Sequence, residues 1–179
     1  MGFSRNLPVR KSPRRKGYDY GQAAGYMVTI DVDYREWRLG TIDQGVVHLN
    51  VAGHMVESEW CGLSDRFPNI ELDAFVVMPD HFHGILFLGT DPDIPPPTLS
   101  RVVQAFKSIT AVTYGRGVRE GAFPPLRRAL WQRSFHDRVL FDGRDLEVAR
   151  GYIADNPGMW QEDVDWRRWE EGHKPEGAD

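Results

Sequence analysis

Cysteine is almost absent from this chain of 179 residues, where Cys61 stands alone. No intrachain disulfide can form, and a zinc site built on several thiolates is excluded. Any metal must be held by nitrogen and oxygen, a chemistry that suits magnesium or manganese where oxygen ligands dominate and zinc where imidazole does. Long apolar runs are missing too. No segment approaches the ~20 residues needed to cross a bilayer, and Met1-Gly2-Phe3-Ser4-Arg5 lacks the apolar stretch of a secretory signal. Both absences predict a cytoplasmic protein with no membrane partner. There is no phosphate-cradling Gly-rich loop and no internal repeat. The one biased segment is the connector Asp91-Pro92-Asp93-Ile94-Pro95-Pro96-Pro97.

Net positive charge is lacking overall, and the positive charge present is unevenly placed. The net charge is −4, yet Arg5, Arg10, Lys11, Arg14, Arg15 and Lys16 all precede the first acid, Asp19. That arm carries +6 and leaves −10 for the remainder (−4 minus +6). Such an arm is either a solvated leader or a phosphate-attracting segment whose binding depends on salt and reads little sequence. The expected layout is therefore a basic arm over residues 1–16, one domain over 17–165 and an acidic tail over 166–179. A hydrophobic fraction of 41%, an aromatic fraction of 12% and six tryptophans are ample for a single core. Trp166 and Trp169 are expected on a short helix near the start of the tail.

What is present in quantity is a strand-forming run, Val76-Val77-Met78-Pro79-Asp80-His81-Phe82-His83-Gly84-Ile85-Leu86-Phe87-Leu88. Side chains alternate faces along a strand, so His81 and His83 point one way and Phe82 the other. Two imidazoles so placed can ligate one metal ion, or they can hydrogen-bond within a core. A second segment tips the balance toward a site. In Tyr152-Ile153-Ala154-Asp155-Asn156-Pro157, a spacing of four puts a phenol and an amide on one helical face.

Periodicity supplies the surrounding elements. Tyr26 to Val32 and Gly45 to Leu49 read as strands, and Asn50 caps a helix through Met55, Val56 and Trp60. Ile70 to Met78 and His81 to Leu88 form two more strands joined tightly at Pro79-Asp80. Thr98 caps a helix with an apolar stripe at Leu99, Val102, Val103, Phe106, Ile109 and Val112, which Gly115 and Gly117 are expected to close. On its polar side Arg101, Lys107 and Ser108 face either phosphate or solvent. Gly121 to Leu126 reads as a loop. Trp131 to Phe141 is an extended segment ending at Asp142-Gly143. The last main helix carries Leu146, Val148, Ala149, Tyr152 and Ile153, and Pro157 is expected to end it. Asn156 then lies in the final turn or just outside, as a cap or as an oxygen donor. The donor reading is preferred because Tyr152 and the His pair need a third partner.

These residues resemble the single-tyrosine HUH transposases, and most closely the REP-associated tyrosine transposases of bacteria. The resemblance rests on Met78-Pro79-Asp80-His81-Phe82-His83, Trp131-Gln132-Arg133-Ser134-Phe135, and Tyr152-Ile153 followed by Asn156-Pro157 with Trp160 beyond. Weaker similarity at Gly17-Tyr18-Asp19-Tyr20, Tyr26 to Ile30, Gly45 to Asn50 and Ala105 to Ser108 extends it from about Arg14 to Asp165. The chain departs from the family at Asp80, where Asn is common. Arg138 follows Asp137 where many relatives have His, and Phe141 stands where an Arg often occurs.

The resemblance implies an α+β fold with a ferredoxin-like antiparallel sheet, the His pair on a central strand and Tyr152 on a C-terminal helix. It implies a reaction in which Tyr152 attacks single-stranded or hairpin DNA to give a 5′-phosphotyrosine and a free 3′-OH, which a second 3′-OH can resolve without ATP. A phenol of ordinary pKa ~10 needs help to act so. A divalent Mg2+ or Mn2+ held by His81, His83 and Asn156 would give it. Arg14, Arg15, Lys16, Lys107, Arg133 and Arg138 are the candidate DNA contacts, with Trp131 and Phe135 either stacking on bases or packing in the core. His48 and His54 read as ordinary structural or surface residues, and His136 lies in the segment that feeds the site. The protein would act as a monomer or homodimer at the nucleoid. Two rivals stay open: a metal-dependent hydrolase in which Asp80 joins the His pair and Tyr152 is incidental, and a domesticated hairpin-binding module without catalysis.

Overall fold

Tyr26, Val28 and Ile30 alternate with Met27, Thr29 and Asp31, a period of two that makes a strand with one wholly apolar face. In a computed structural model, which describes residues 24–172 and side chains as far as Trp160, that strand is β1 (Ala24–Asp31). The arm with Arg14, Arg15 and Lys16, the Gly17-Tyr18-Asp19-Tyr20 block and residues 173–179 lie outside the described residues. After β1 come a 3-10 turn (Asp33–Arg35), β2 (Gly40–Asp43), β3 (Val46–Leu49), α1 (Val51–Cys61) and α2 (Leu63–Arg66). Then follow β4 (Ile70–Val77), β5 (His81–Leu88), α3 (Leu99–Arg119), β6 (His136–Leu140) and α4 (Gly143–Gly172).

β4, β5, β1 and β6 form one antiparallel sheet in that order. The sequence β1-α1-β4-β5-α3-β6 with this strand order is the ferredoxin-like arrangement, and β5 is an inner strand. Register sets the faces. Thr29 pairs with His83 on one side and His136 on the other, and Ile30 pairs with Phe82. Phe82, Val28 and Ile30 therefore face α1 and α3, and the histidines face α4. The core lies on the α1/α3 side, where the Trp60 ring centroid is 4.6 Å from that of Phe82 and 5.3 Å from that of Phe106. Each such fully buried side chain contributes roughly 1.5–3 kcal/mol. Gly84 makes this packing possible, because a Cβ there would stand 2.6 Å from Trp60 Cζ2. On the other face Ala149 and Ile153 of α4 pack against Ile85 and Leu140.

The expected caps form: Asn50 accepts from the Gly53 amide at 2.9 Å and Thr98 from the Arg101 amide at 3.3 Å. Four local readings need correction. β2 was absent from the sequence reading, yet it pairs with β3 through Gln44 and Gly45, whose φ values of 49° and 74° make the left-handed two-residue turn that suits a hairpin. Gly115 and Gly117 do not close α3, which runs on to Arg119. Gly117 is there because the Phe123 ring lies where a Cβ would be, 2.2 Å away. The Trp131 to Phe141 segment is an isolated bridge from Trp131 to Val32 followed by the short strand β6. Pro157 does not end α4, and the helix continues through it to Gly172 as one piece, in place of a short separate helix at Trp166 and Trp169. Packing of Ala149, Ile153 and Asn156 on the sheet holds the backbone helical despite the missing N–H.

Candidate active site

The tight link between β4 and β5 is anchored before any site side chain is considered. The Asp80 carbonyl accepts from Val32 N at 2.9 Å, and the Pro79 carbonyl accepts from Arg38 N and Leu39 N at 3.0 and 3.1 Å. His81 and His83 then leave β5 on its α4 face, both buried, with ring centroids 4.6 Å apart. Each Nδ1 is committed. His81 Nδ1 lies 2.6 Å from Asp80 Oδ1, and His83 Nδ1 lies 2.8 Å from Thr29 Oγ1. Among the described residues neither Nε2 has a hydrogen-bond partner, so each ring has one nitrogen to spare. Burial first, then His81 and Arg35, push the His83 pKa down to about 3, and its imidazole is neutral at ordinary pH.

α4 brings the second half of the site. Its N-terminus is capped by Asp142 Oδ1, which accepts from Asp145 N at 2.8 Å. Arg150 clamps it to β4 through a two-pronged contact, Nε to Asp73 Oδ1 at 2.9 Å and Nη2 to Asp73 Oδ2 at 2.6 Å. This bond holds the Asp73 carboxyl below its usual range. The Tyr152 ring, 43% exposed, sits 5.2 Å from the His83 ring at an interplanar angle of 79°. One turn on, Asn156 is buried and its Oδ1 has no hydrogen-bond partner among the described residues. Most buried amide oxygens find a donor, so this one, a helical turn from Tyr152, is an unusual feature of the α4 face.

The fold thus brings His81, His83 and Tyr152 together, with Asn156 on the same helix. Among the described residues no group of three His, Cys, Asp or Glu can hold a metal by itself. Two imidazoles and an amide oxygen are a partial set, one that fits a cation completed by water and a substrate phosphate. Beside Tyr152 a cavity of about 300 Å³ opens, lined by Met27, Thr29, His136, Arg138 and Val148 among others. Arg138 reaches it while paired with Asp145 at 3.2 Å, and Arg133 is exposed.

Lys107 is occupied inside the fold. Its Nζ donates to the carbonyls of Gln132, Arg133 and Ser134 at 2.6, 3.1 and 3.3 Å, which uses all three N–H bonds. Burial lowers its pKa. Trp131 and Phe135 are core residues, and Trp131 Nε1 donates to Thr110 Oγ1 at 2.7 Å. Sequence reasoning missed Thr29, Arg35, Arg150 and Asp73. Thr29 was within reach, since strand parity alone puts it on the face opposite Val28; the Arg35–Asp80 and Arg150–Asp73 contacts join segments far apart and left no local signal.

Among solved structures the chain superposes on a REP-associated tyrosine transposase bound to a REP hairpin. The TM-score is 0.54 at 21% identity, over 83% of this chain and 74% of that one. The two chains share a fold. A crystal structure from Deinococcus radiodurans R1, provisionally named a transposase, superposes with a TM-score of 0.50 at 18% identity, over 79% of this chain and 98% of that one. An uncharacterized protein of Haemophilus influenzae Rd is 29% identical over 171 residues, spanning 90% of this chain and 95% of that one. No family model matches. In the transposase fold as this chain adopts it, the inner strand β5 carries the histidines and the late helix α4 carries the phenol. No helix among the described residues is long and apolar enough to cross a membrane.

Proposed function

We propose that the chain is a single-tyrosine transposase that cleaves and rejoins single-stranded or hairpin DNA through Tyr152. The reading rests above all on the 5.2 Å approach of the Tyr152 ring to the buried His83 ring, made by two elements that α3 and β6 separate along the chain. The orphaned Asn156 oxygen one helical turn away supports it. So does the fold shared with a transposase solved on a REP hairpin.

The chemistry follows from the side chains. Tyr152 Oη attacks the phosphorus of a phosphodiester. The Oη–P bond forms, the P–O3′ bond breaks, and its electron pair leaves on the 3′ oxygen, which takes up a proton. The phenol's own proton passes to solvent, to which the ring is open. His81 and His83 through Nε2, and Asn156 through Oδ1, would hold Mg2+ or Mn2+. That ion, when bound, withdraws charge from a non-bridging phosphate oxygen and orients the leaving oxygen. Neutral His83 keeps its lone pair available, and the Arg150–Asp73 clamp holds α4 so that the phenol stays over the site. The phosphotyrosine conserves the energy of the broken bond, and a second 3′-OH reverses the step with a new strand. Arg133 and Arg138 are the DNA contacts on the described surface, with Arg14, Arg15 and Lys16 adding phosphate attraction from the arm. The protein works in the cytoplasm at the nucleoid, as a monomer or homodimer.

The test is incubation with single-stranded hairpin DNA and Mn2+ or Mg2+, followed by denaturing electrophoresis. The expected result is a protein–DNA adduct that chelator prevents and Tyr152→Phe abolishes. Cleavage that survives in Tyr152→Phe would establish a hydrolase instead, and hairpin binding without cleavage by intact protein would establish a binding module.

A further inference from the structure

The turn after β1 is strained for a purpose visible in its contacts. Tyr34 and Arg35 both adopt left-handed backbone geometry, with φ of 58° and 53°. Such geometry costs non-glycine residues of order 1–2 kcal/mol each. What it achieves is to fold the Arg35 side chain back over the end of β1. There Arg35 Nε lies 2.9 Å from Asp80 Oδ2 and Nη1 pairs with Asp31. The other carboxylate oxygen of Asp80 is the one 2.6 Å from His81 Nδ1. Arg35, Asp80 and His81 therefore form a line of charge-assisted contacts ending on a buried ring.

The two histidines differ in what their partners dictate. A carboxylate only accepts, so Asp80 requires that Nδ1 of His81 carry the hydrogen, and Nε2 of the neutral ring must then hold the lone pair. Thr29 either donates or accepts, and so imposes no such choice on His83. Asp80 is also the residue at which the chain departs from the Asn common in the family it resembles.

We propose that Asp80 and Arg35 are positioning residues for His81: Asp80 fixes the Nδ1–H tautomer, and Arg35, delivered by the left-handed turn, fixes Asp80. Asp31 completes the group by pairing with Nη1 of the same guanidinium, while Asp80 keeps Oδ2 on Arg35 and Oδ1 on the ring. The consequence for metal affinity rests on the transposase reading above, whereas the tautomer does not.

The experiment is a long-range 1H–15N correlation spectrum of the full chain with 15N-labelled histidine, without divalent metal and above the imidazole titration range, assigned with His81→Gln. Wild-type His81 is expected as the Nδ1–H form. In Asp80→Ala the ratio of Nδ1–H to Nε2–H should fall about tenfold or more, the worth of a hydrogen bond to a charged group. Arg35→Gln should shift it in the same direction by less. Asp80→Asn, whose amide oxygen still accepts, and Tyr34→Gly, which keeps the turn without strain, should retain the tautomer. A wild-type His81 that is Nε2–H or doubly protonated overturns the proposal. So does an unchanged ratio in both Asp80→Ala and Arg35→Gln; if the former fails to fold, Arg35→Gln decides. A parallel Mn2+ titration followed by electron paramagnetic resonance should show affinity about 10–100-fold lower in Asp80→Ala, and equal affinity would remove the role in metal binding. Should wild type bind no Mn2+ and form no DNA adduct, the transposase reading fails while the spectrum still settles the positioning.

Discussion

Replacing Asn156 with leucine should stabilise the metal-free protein while destroying its activity. The Asn156 Oδ1 atom is buried without a hydrogen-bond partner among the described residues, in a helix otherwise packed on the sheet by Ala149 and Ile153. An unsatisfied buried acceptor costs about 1–3 kcal/mol. Leucine is close to isosteric, and on this face it would join the existing cluster with Ile85 and Leu140. A gain of about 1–2 kcal/mol is expected, which for a chain of this size moves Tm by roughly 2–8 °C. The measurement is thermal and urea unfolding in chelator, repeated with Mn2+. Wild type should gain stability with Mn2+ by mass action and Asn156→Leu should not, and the variant should form no DNA adduct. A variant less stable than wild type in chelator would mean that the amide is satisfied as an ordinary helix residue. Adduct formation at the wild-type rate would mean that Asn156 is no ligand. Either result refutes the argument from the orphaned oxygen.

Three further outcomes follow from the geometry. His83 has a folded-state pKa of about 3, well below its unfolded value of 6.5, so between those limits the unfolded chain binds more protons and stability must rise with pH. Urea unfolding of metal-free protein should show ΔG falling by a few kcal/mol as pH drops from about 6.5 toward 3, and His83→Gln should flatten that slope; an unchanged slope would show that the ring is not desolvated. Lys107→Met should destabilise by about 1–3 kcal/mol by stripping donors from three carbonyls, with no change in the salt dependence of hairpin binding, whereas Arg133→Gln should lower the salt slope by about 1 with little effect on Tm; fluorescence anisotropy against salt distinguishes them, and the reverse pattern would place Lys107 at the DNA. Gly84→Ala should cost about 1–3 kcal/mol in urea unfolding because its methyl meets Trp60, and a neutral result would mean that the indole has room to retreat.

Much of the fold was legible because its signals are local. The caps at Asn50 and Thr98 need only a polar side chain placed before an apolar stripe, and both form as read. Strand parity put His81 and His83 on one face without knowledge of any neighbour. Signals failed where a residue's usual local meaning was overridden by a distant contact. Gly115 and Gly117 read as a helix end until Phe123 explained Gly117. Pro157 read as a stop because propensity says so, yet packing on the sheet carries α4 past it. Lys107 read as surface cation, and only the approach of the 132–134 carbonyls shows where its ammonium goes.

The sequence by itself determined which residues are candidates to carry chemistry and which way each faces on its own element, since residue type and the periods of strand and helix are properties of the local chain. The tertiary structure decided that Tyr152 stands against His83, that Asn156 Oδ1 finds no donor among the described residues, and that Asp80 links His81 to Arg35. Those facts depend on how α4 and the turn after β1 dock on the sheet. Docking is fixed by the burial of whole faces and by cross-chain pairs such as Arg150 with Asp73, interactions that no short window of sequence contains.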